Sequence, residues 1–127
     1  MTFQDIDKRL GIANTQQSLG SLHLRNGRLQ EAETAYQKAL TTFQDIDDRI
    51  GIANTQRALG NLYIRTDRLQ EAETAYQKAF ATFHAIDDRV GIASTQRALG
   101  DLHIRADRLQ EAETAYQKRP RDLSIPA

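Results

Sequence analysis

RLQEAETAYQKA occupies residues 28–39 and again 68–79, and all but its last residue returns at 108–118. The chain therefore repeats itself every 40 residues, and a period between about 20 and 50 residues marks stacked structural repeats. The flanking words repeat with it. GIANTQQSLGSLHLRNG precedes the first copy, GIANTQRALGNLYIRTD the second and GIASTQRALGDLHIRAD the third.

Helix is open to the whole repeated region, because the only prolines are Pro120 and Pro126. Two kinds of punctuation divide it. Asn26 and Gly27 suit a left-handed turn residue, and the later copies offer Asp67 and Asp107, which tolerate that conformation less well. In DIDDR and AIDDR, Asp47 or Asp87 is expected to cap the following helix, with Asp48 or Asp88 adding negative charge at its positive end. Each unit thus reads as two helices, 48–65 and 68–85 in the central copy.

The second helix carries Leu69, Ala72, Tyr76, Ala79, Phe83 and Ile86 at alternating steps of three and four, one apolar stripe with Gln70, Glu71, Thr74, Gln77 and Lys78 opposite. Tyr36, Tyr76 and Tyr116 share one position in the unit and are expected to be core. In the first helix Ile52, Ala53, Ala58, Leu59, Gly60, Leu62, Tyr63 and Ile64 cover most of the circumference, leaving only Asn54, Arg57, Asn61 and Arg65 as a thin polar strip. Such a helix is expected to have neighbours on both sides.

Composition excludes several classes of function. The 127 residues carry 17 basic and 17 acidic side chains, so no overall field draws the chain to nucleic acid or to an anionic membrane. Cysteine is absent, which removes disulfides, thiolate catalysis and cysteine-based zinc sites. No apolar run reaches the ~18 residues of a membrane span, and MTFQDIDKR lacks the layout of a signal peptide, so a cytoplasmic location is the expectation.

Leu59-Gly60-x-x-Tyr63 followed by Ala72-x-x-x-Tyr76 and Ala79 resembles the tetratricopeptide repeat consensus, and Leu19, Gly20, Ala32, Tyr36 and Ala39 and then Leu99, Gly100, Ala112 and Tyr116 hold the same frame. Gln16, Gln56 and Gln96 stand at the usual tryptophan, and His23 and His103 at the usual tyrosine. The extended unit is similar to the repeats of Leu-Gly-Asn-type polarity adaptors and, more loosely, of kinesin light chains. The resemblance implies an all-α, right-handed α-solenoid of stacked antiparallel helix pairs, about three repeats, with first helices lining a concave groove that holds a peptide of a protein partner. The expected organisation is one array over 1–119, with units 8–47, 48–87 and 88–119 and residues 1–7 as the tail of a preceding unit, then a non-repeat tail over 120–127.

Carried through the three copies, the strip consists of Asn14, Gln17, Ser21 and Arg25; Asn54, Arg57, Asn61 and Arg65; and Ser94, Arg97, Asp101 and Arg105. Five arginines face one aspartate. Arginine's planar fork meets a carboxylate with two hydrogen bonds, so an extended peptide with acidic side chains or a C-terminal carboxylate is the expected ligand. By resemblance, Asn54, Asn61, Arg57 and Arg97 are the equivalents of the family's peptide contacts. The same residues also make an ordinary solvated face, with Arg65 and Arg105 favourable to the helix dipole.

No enzyme is expected. Every candidate polar group is repeated with the unit, whereas an active site needs one asymmetric constellation. No cofactor or metal is expected: His23 and His103 lie two units apart, and Asp45, Asp47 and Asp48 lack the glycine and terminal glutamate of a calcium loop. An alternative class is a self-assembling structural module or a fragment of a longer regulatory array. Residues 1–9 read as the end of a unit, and Arg119 and Pro120 interrupt the last one, so the end faces are expected to lack cover. Homo-oligomers formed by head-to-tail contact or by an exchanged helix follow as an expectation.

Overall fold

The structure, a computed structural model, describes residues 1–117. Five helices account for it: α1 (Phe3–Arg25), α2 (Leu29–Asp45), α3 (Arg49–Arg65), α4 (Leu69–Ala85) and α5 (Arg89–Gln117). Each helix packs on the next, making an all-α solenoid, with no strand among the described residues.

Two aromatic knobs hold the stack together. Within a unit, Tyr76 fills a notch over Gly60, where an added Cβ would lie 2.6 Å from the ring, and Tyr36 does the same over Gly20. Between units, Phe43 of α2 seats against Gly51 of α3, and Phe83 of α4 against Gly91 of α5. Glycine is required at these places because the ring occupies the space of a side chain. The four aromatic rings and Ala32, Ala39, Ala72 and Ala79 are all but fully buried. The stripe read from the second helix is this core, with Ala35 and Ala75 added to it.

The caps differ by one residue from expectation. Asp48 and Asp88, not Asp47 and Asp87, accept from the amides of Gly51 and Gly91 at 3.0 Å. Asp47 and Asp87 instead take left-handed φ values of 54° and 55°. The preceding helix has to be terminated by a left-handed residue before the next can be capped, and the first aspartate does that work. Asp48→Ala should cost about 1 kcal/mol in chemical denaturation, the usual loss for an N-cap.

At both ends of the described chain the expected break is missing. Residues 3–7 are the first turn of α1, capped by Thr2 and Asp5, and do not form a separate tail. Lys8 stands where Asp48 caps α3, so no carboxylate is present to start a new helix there. The third unit, expected to be a helix pair, is a single helix of 29 residues. Its would-be turn has lost both supports of the earlier ones. Gly27 accepts φ 76° without strain, and Asp67 at φ 62° is flanked by Thr66, whose hydroxyl donates to the carbonyls of Leu62 and Tyr63, and by Arg68, whose guanidinium stacks on Tyr63. The third copy has Ala106 and His103 in place of Thr66 and Tyr63. Alanine is the strongest helix former, and a left-handed aspartate costs about 1–2 kcal/mol, so the helix runs on. Tyr116, expected to be core, is consequently 74% exposed. The expectations placed on Arg119 and Pro120 lie outside the described residues.

One buried group is unsatisfied. The Thr55 hydroxyl is fully buried without a hydrogen-bond partner, whereas Thr95 donates to the Gly91 carbonyl at 2.7 Å. Thr55→Val keeps the shape and removes the orphan, so it should raise stability by about 1 kcal/mol in a urea titration. Thr95→Val should not.

Candidate functional site

The first helices of the first two units bound a concave cavity of about 490 Å³. Gln17, Ser21, Arg25, Asn54, Arg57, Asn61 and Arg65 line it, together with Leu24, Tyr36 and Ala58. Of the twelve strip residues, seven therefore surround one space. Asn14 is exposed on α1 outside it; Ser94, Arg97, Asp101 and Arg105 belong to α5 and continue the strip.

Core residues fix the polar ones. The Tyr76 hydroxyl passes beneath α3 and donates to Asn61 Oδ1, and Tyr36 shares a 2.9 Å hydrogen bond with Ser21. Burial pushes the Tyr76 phenol above its ordinary range, Arg57 opposing and Asp101 adding to the shift, so it stays a donor at neutral pH. With its carbonyl oxygen engaged, Asn61 has its amide N–H groups left for the cavity. The knob that joins the two helices of a unit thus also orients a groove side chain.

The arginines are positioned by bridges between units. Arg57, expected to be exposed, is half-buried: it donates to Ser94 at 3.1 Å and to Asn54 at 3.3 Å, and its guanidinium lies 5.4 Å from the Phe83 ring centroid. Its place depends on α5, which periodicity within a single helix does not reveal. Arg65 donates to the Leu24 carbonyl at 2.8 Å, tying α3 to the end of α1. Among the described residues, the only carboxylate within ion-pair reach of the five strip arginines is Asp67, 3.8 Å from Arg105. Positive charge is left uncompensated around the cavity. Its lining was missed at Leu24, Tyr36 and Ala58; Tyr36 carried a signal in its glycine partner, since a ring in that notch comes through to the other side of the helix.

The histidines are accounted for by neighbours. His23 lies 3.6 Å from Glu31 on its paired helix, whereas His103 reaches back to Glu73 on α4 at 3.0 Å because its own paired helix is not folded against it. No three His, Asp or Glu side chains converge on a metal position among the described residues. No helix among them is long and apolar enough to cross a membrane.

A second cavity, of about 600 Å³, lies on the other side between α2 and α4, lined by Gln37, Leu40, Thr41, Tyr63, Gln70 and Thr74 among others. It holds Glu71 and Lys78 but no arginine.

The described fold is similar to the crystal structure of BtubC (BKLC) from P. vanneervenii, with a TM-score of 0.59 and 22% identity over 91% of this chain and 53% of that one. The chain thus spans about half the length of that protein. No curated protein matches the sequence. The tetratricopeptide repeat family model matches residues 11–85 and 51–119. Repeats of this kind build protein–protein interaction scaffolds and are generally not enzymes. With a 40-residue unit of paired helices, an alanine and tyrosine core and a family match over most of its length, the chain belongs to the tetratricopeptide repeat family.

Proposed function

We propose that this chain binds an extended acidic segment of a protein partner along the strip of its first helices. The observation that supports the reading is the cavity in which Arg25, Arg57 and Arg65 stand with Gln17, Asn54 and Asn61 and no acidic side chain in the lining. Guanidinium groups held by bridges to Ser94 and Leu24 meet carboxylates without losing much further rotamer freedom, and amides at Asn54 and Asn61 suit a peptide backbone.

Fluorescence anisotropy of a labelled glutamate-rich peptide against a glutamine-substituted control tests it. The acidic peptide should bind more tightly at low salt, and the difference should shrink as the Debye length falls from about 30 Å at 0.01 M to about 8 Å at 0.15 M. Arg25→Glu with Arg65→Glu should weaken binding at least about tenfold while leaving helicity unchanged, because both side chains are exposed. Equal affinity for the two peptides, or none, removes the reading.

A further inference from the structure

The third unit holds an unmatched knob and an unmatched notch. Tyr116 is 74% exposed, where Tyr36 and Tyr76 are 2% and 1%. Gly100 has nothing within 4 Å of an added Cβ among the described residues, where Gly20 and Gly60 are filled by those tyrosines. In every unit the tyrosine follows its glycine by sixteen residues, and residues 108–118 are identical to 28–38 and 68–78. The part that fits the empty notch is therefore present, but on the far half of the same straight helix, where it cannot reach.

We propose that two copies of this chain exchange these halves, the α5 helices lying antiparallel so that Tyr116 of each fills the Gly100 notch of the other. The register is self-complementary. Arg108 stands midway between Gly100 and Tyr116, so setting one tyrosine over the opposite glycine sets the other pair at once, about a two-fold axis near Arg108. Leu109 and Ala112, both exposed, come with Tyr116 and correspond to Leu69 and Ala72 of the folded pair. In that register they meet His103 and Ile104, the counterparts of Tyr63 and Ile64, both of which are exposed in the single chain. Glu111 accompanies Arg108 on the same helix, as Glu71 accompanies Arg68, and offsets the charge at the axis. A second copy is favoured as occupant because its segment is the internal packing partner itself, residue for residue. At the amino end Phe3 is 88% exposed and Gly11 unfilled, but these correspond to the between-unit pair Phe43 and Gly51 and not to the tyrosine and its notch.

Sedimentation across a hundredfold concentration range tests the exchange. The parent chain should show a reversible monomer–dimer equilibrium. Tyr116→Ala and Gly100→Ala should each raise the dimer dissociation constant at least about 100-fold, since the change acts twice in a symmetric contact. Both positions are exposed in the single chain, so neither change should reduce its helicity. Ala106→Asn with Asp107→Gly copies the Asn26-Gly27 turn and should give a closed monomer with Tyr116 buried in its own chain. A parent that stays monomeric throughout overturns the proposal. So does a dimer that survives both Tyr116→Ala and Gly100→Ala. Leu22 on α1 is 47% exposed where its counterparts Leu62 and Leu102 are buried, so a dimer lost on Leu22→Glu but kept on Tyr116→Ala would place the contact head to tail and overturn it equally.

Discussion

Tyr76→Ala is expected to lower the free energy of unfolding by about 3–5 kcal/mol, and Tyr116→Ala at monomeric concentration by less than about 0.5 kcal/mol, although the two tyrosines sit in identical words of the sequence. Tyr76 is 1% exposed, fills the Gly60 notch, touches Leu102 and Ala72 and donates to Asn61. Its loss opens a cavity between α3, α4 and α5, a scale at which the whole stability of a small domain is at stake. Tyr116 makes no comparable burial in the single chain. Urea denaturation of the two variants side by side, at a protein concentration where sedimentation gives a monomer, measures the difference. Similar losses in both would mean that the third tyrosine is packed like the second.

The glycines give the second large effect. Gly60→Ala should destabilise by about 2 kcal/mol, because its Cβ would lie 2.6 Å from one ring carbon of Tyr76 and 2.7 Å from another, and a buried ring enclosed by α3, α4 and α5 cannot give way. The helix propensity of alanine, worth about 1 kcal/mol, offsets only part of that cost. Gly100→Ala meets nothing within 4 Å and collects the propensity alone, so the monomer should gain about 0.5–1 kcal/mol. Opposite signs for one substitution at equivalent places would come from packing, since the local sequence LG is the same. Thermal denaturation followed by circular dichroism reads both. Equal shifts would contradict the knob-and-notch account.

The period of 40, the apolar stripe from Leu69 to Ile86 and the nearly surrounded first helix were legible because each is a pattern of many residues, and no single one decides it. The strip at Asn54, Arg57, Asn61 and Arg65 follows from the same arithmetic. What was not legible hangs on single letters. Lys8 for Asp48 and Ala106 for Thr66 turn two expected breaks into continuous helix, because a cap and a left-handed aspartate each shift the balance by only about 1–2 kcal/mol. The warning in the sequence was that Asp107 lacks the glycine of the first copy; its weight depended on Tyr63 and Thr66, whose support of the second turn is a matter of side-chain contacts. Arg57 lies on the face that periodicity assigns to it but is half-buried, since Phe83 of its own unit and Ser94 of the following one approach it, and neither contact is visible within a single helix.

The proposed partner segment lies along the first helices, on the side where the tyrosine hydroxyls emerge. Backbone amide shifts of the labelled chain, followed by NMR during titration with the glutamate-rich peptide, test it most directly. Saturable shifts are expected at Gln17, Ser21, Asn54 and Asn61, extending to Ser94, with little change at Gln70, Thr74 and Lys78. Shifts confined to the α2 and α4 surface, with the Asn54 and Asn61 amides unmoved, would contradict it.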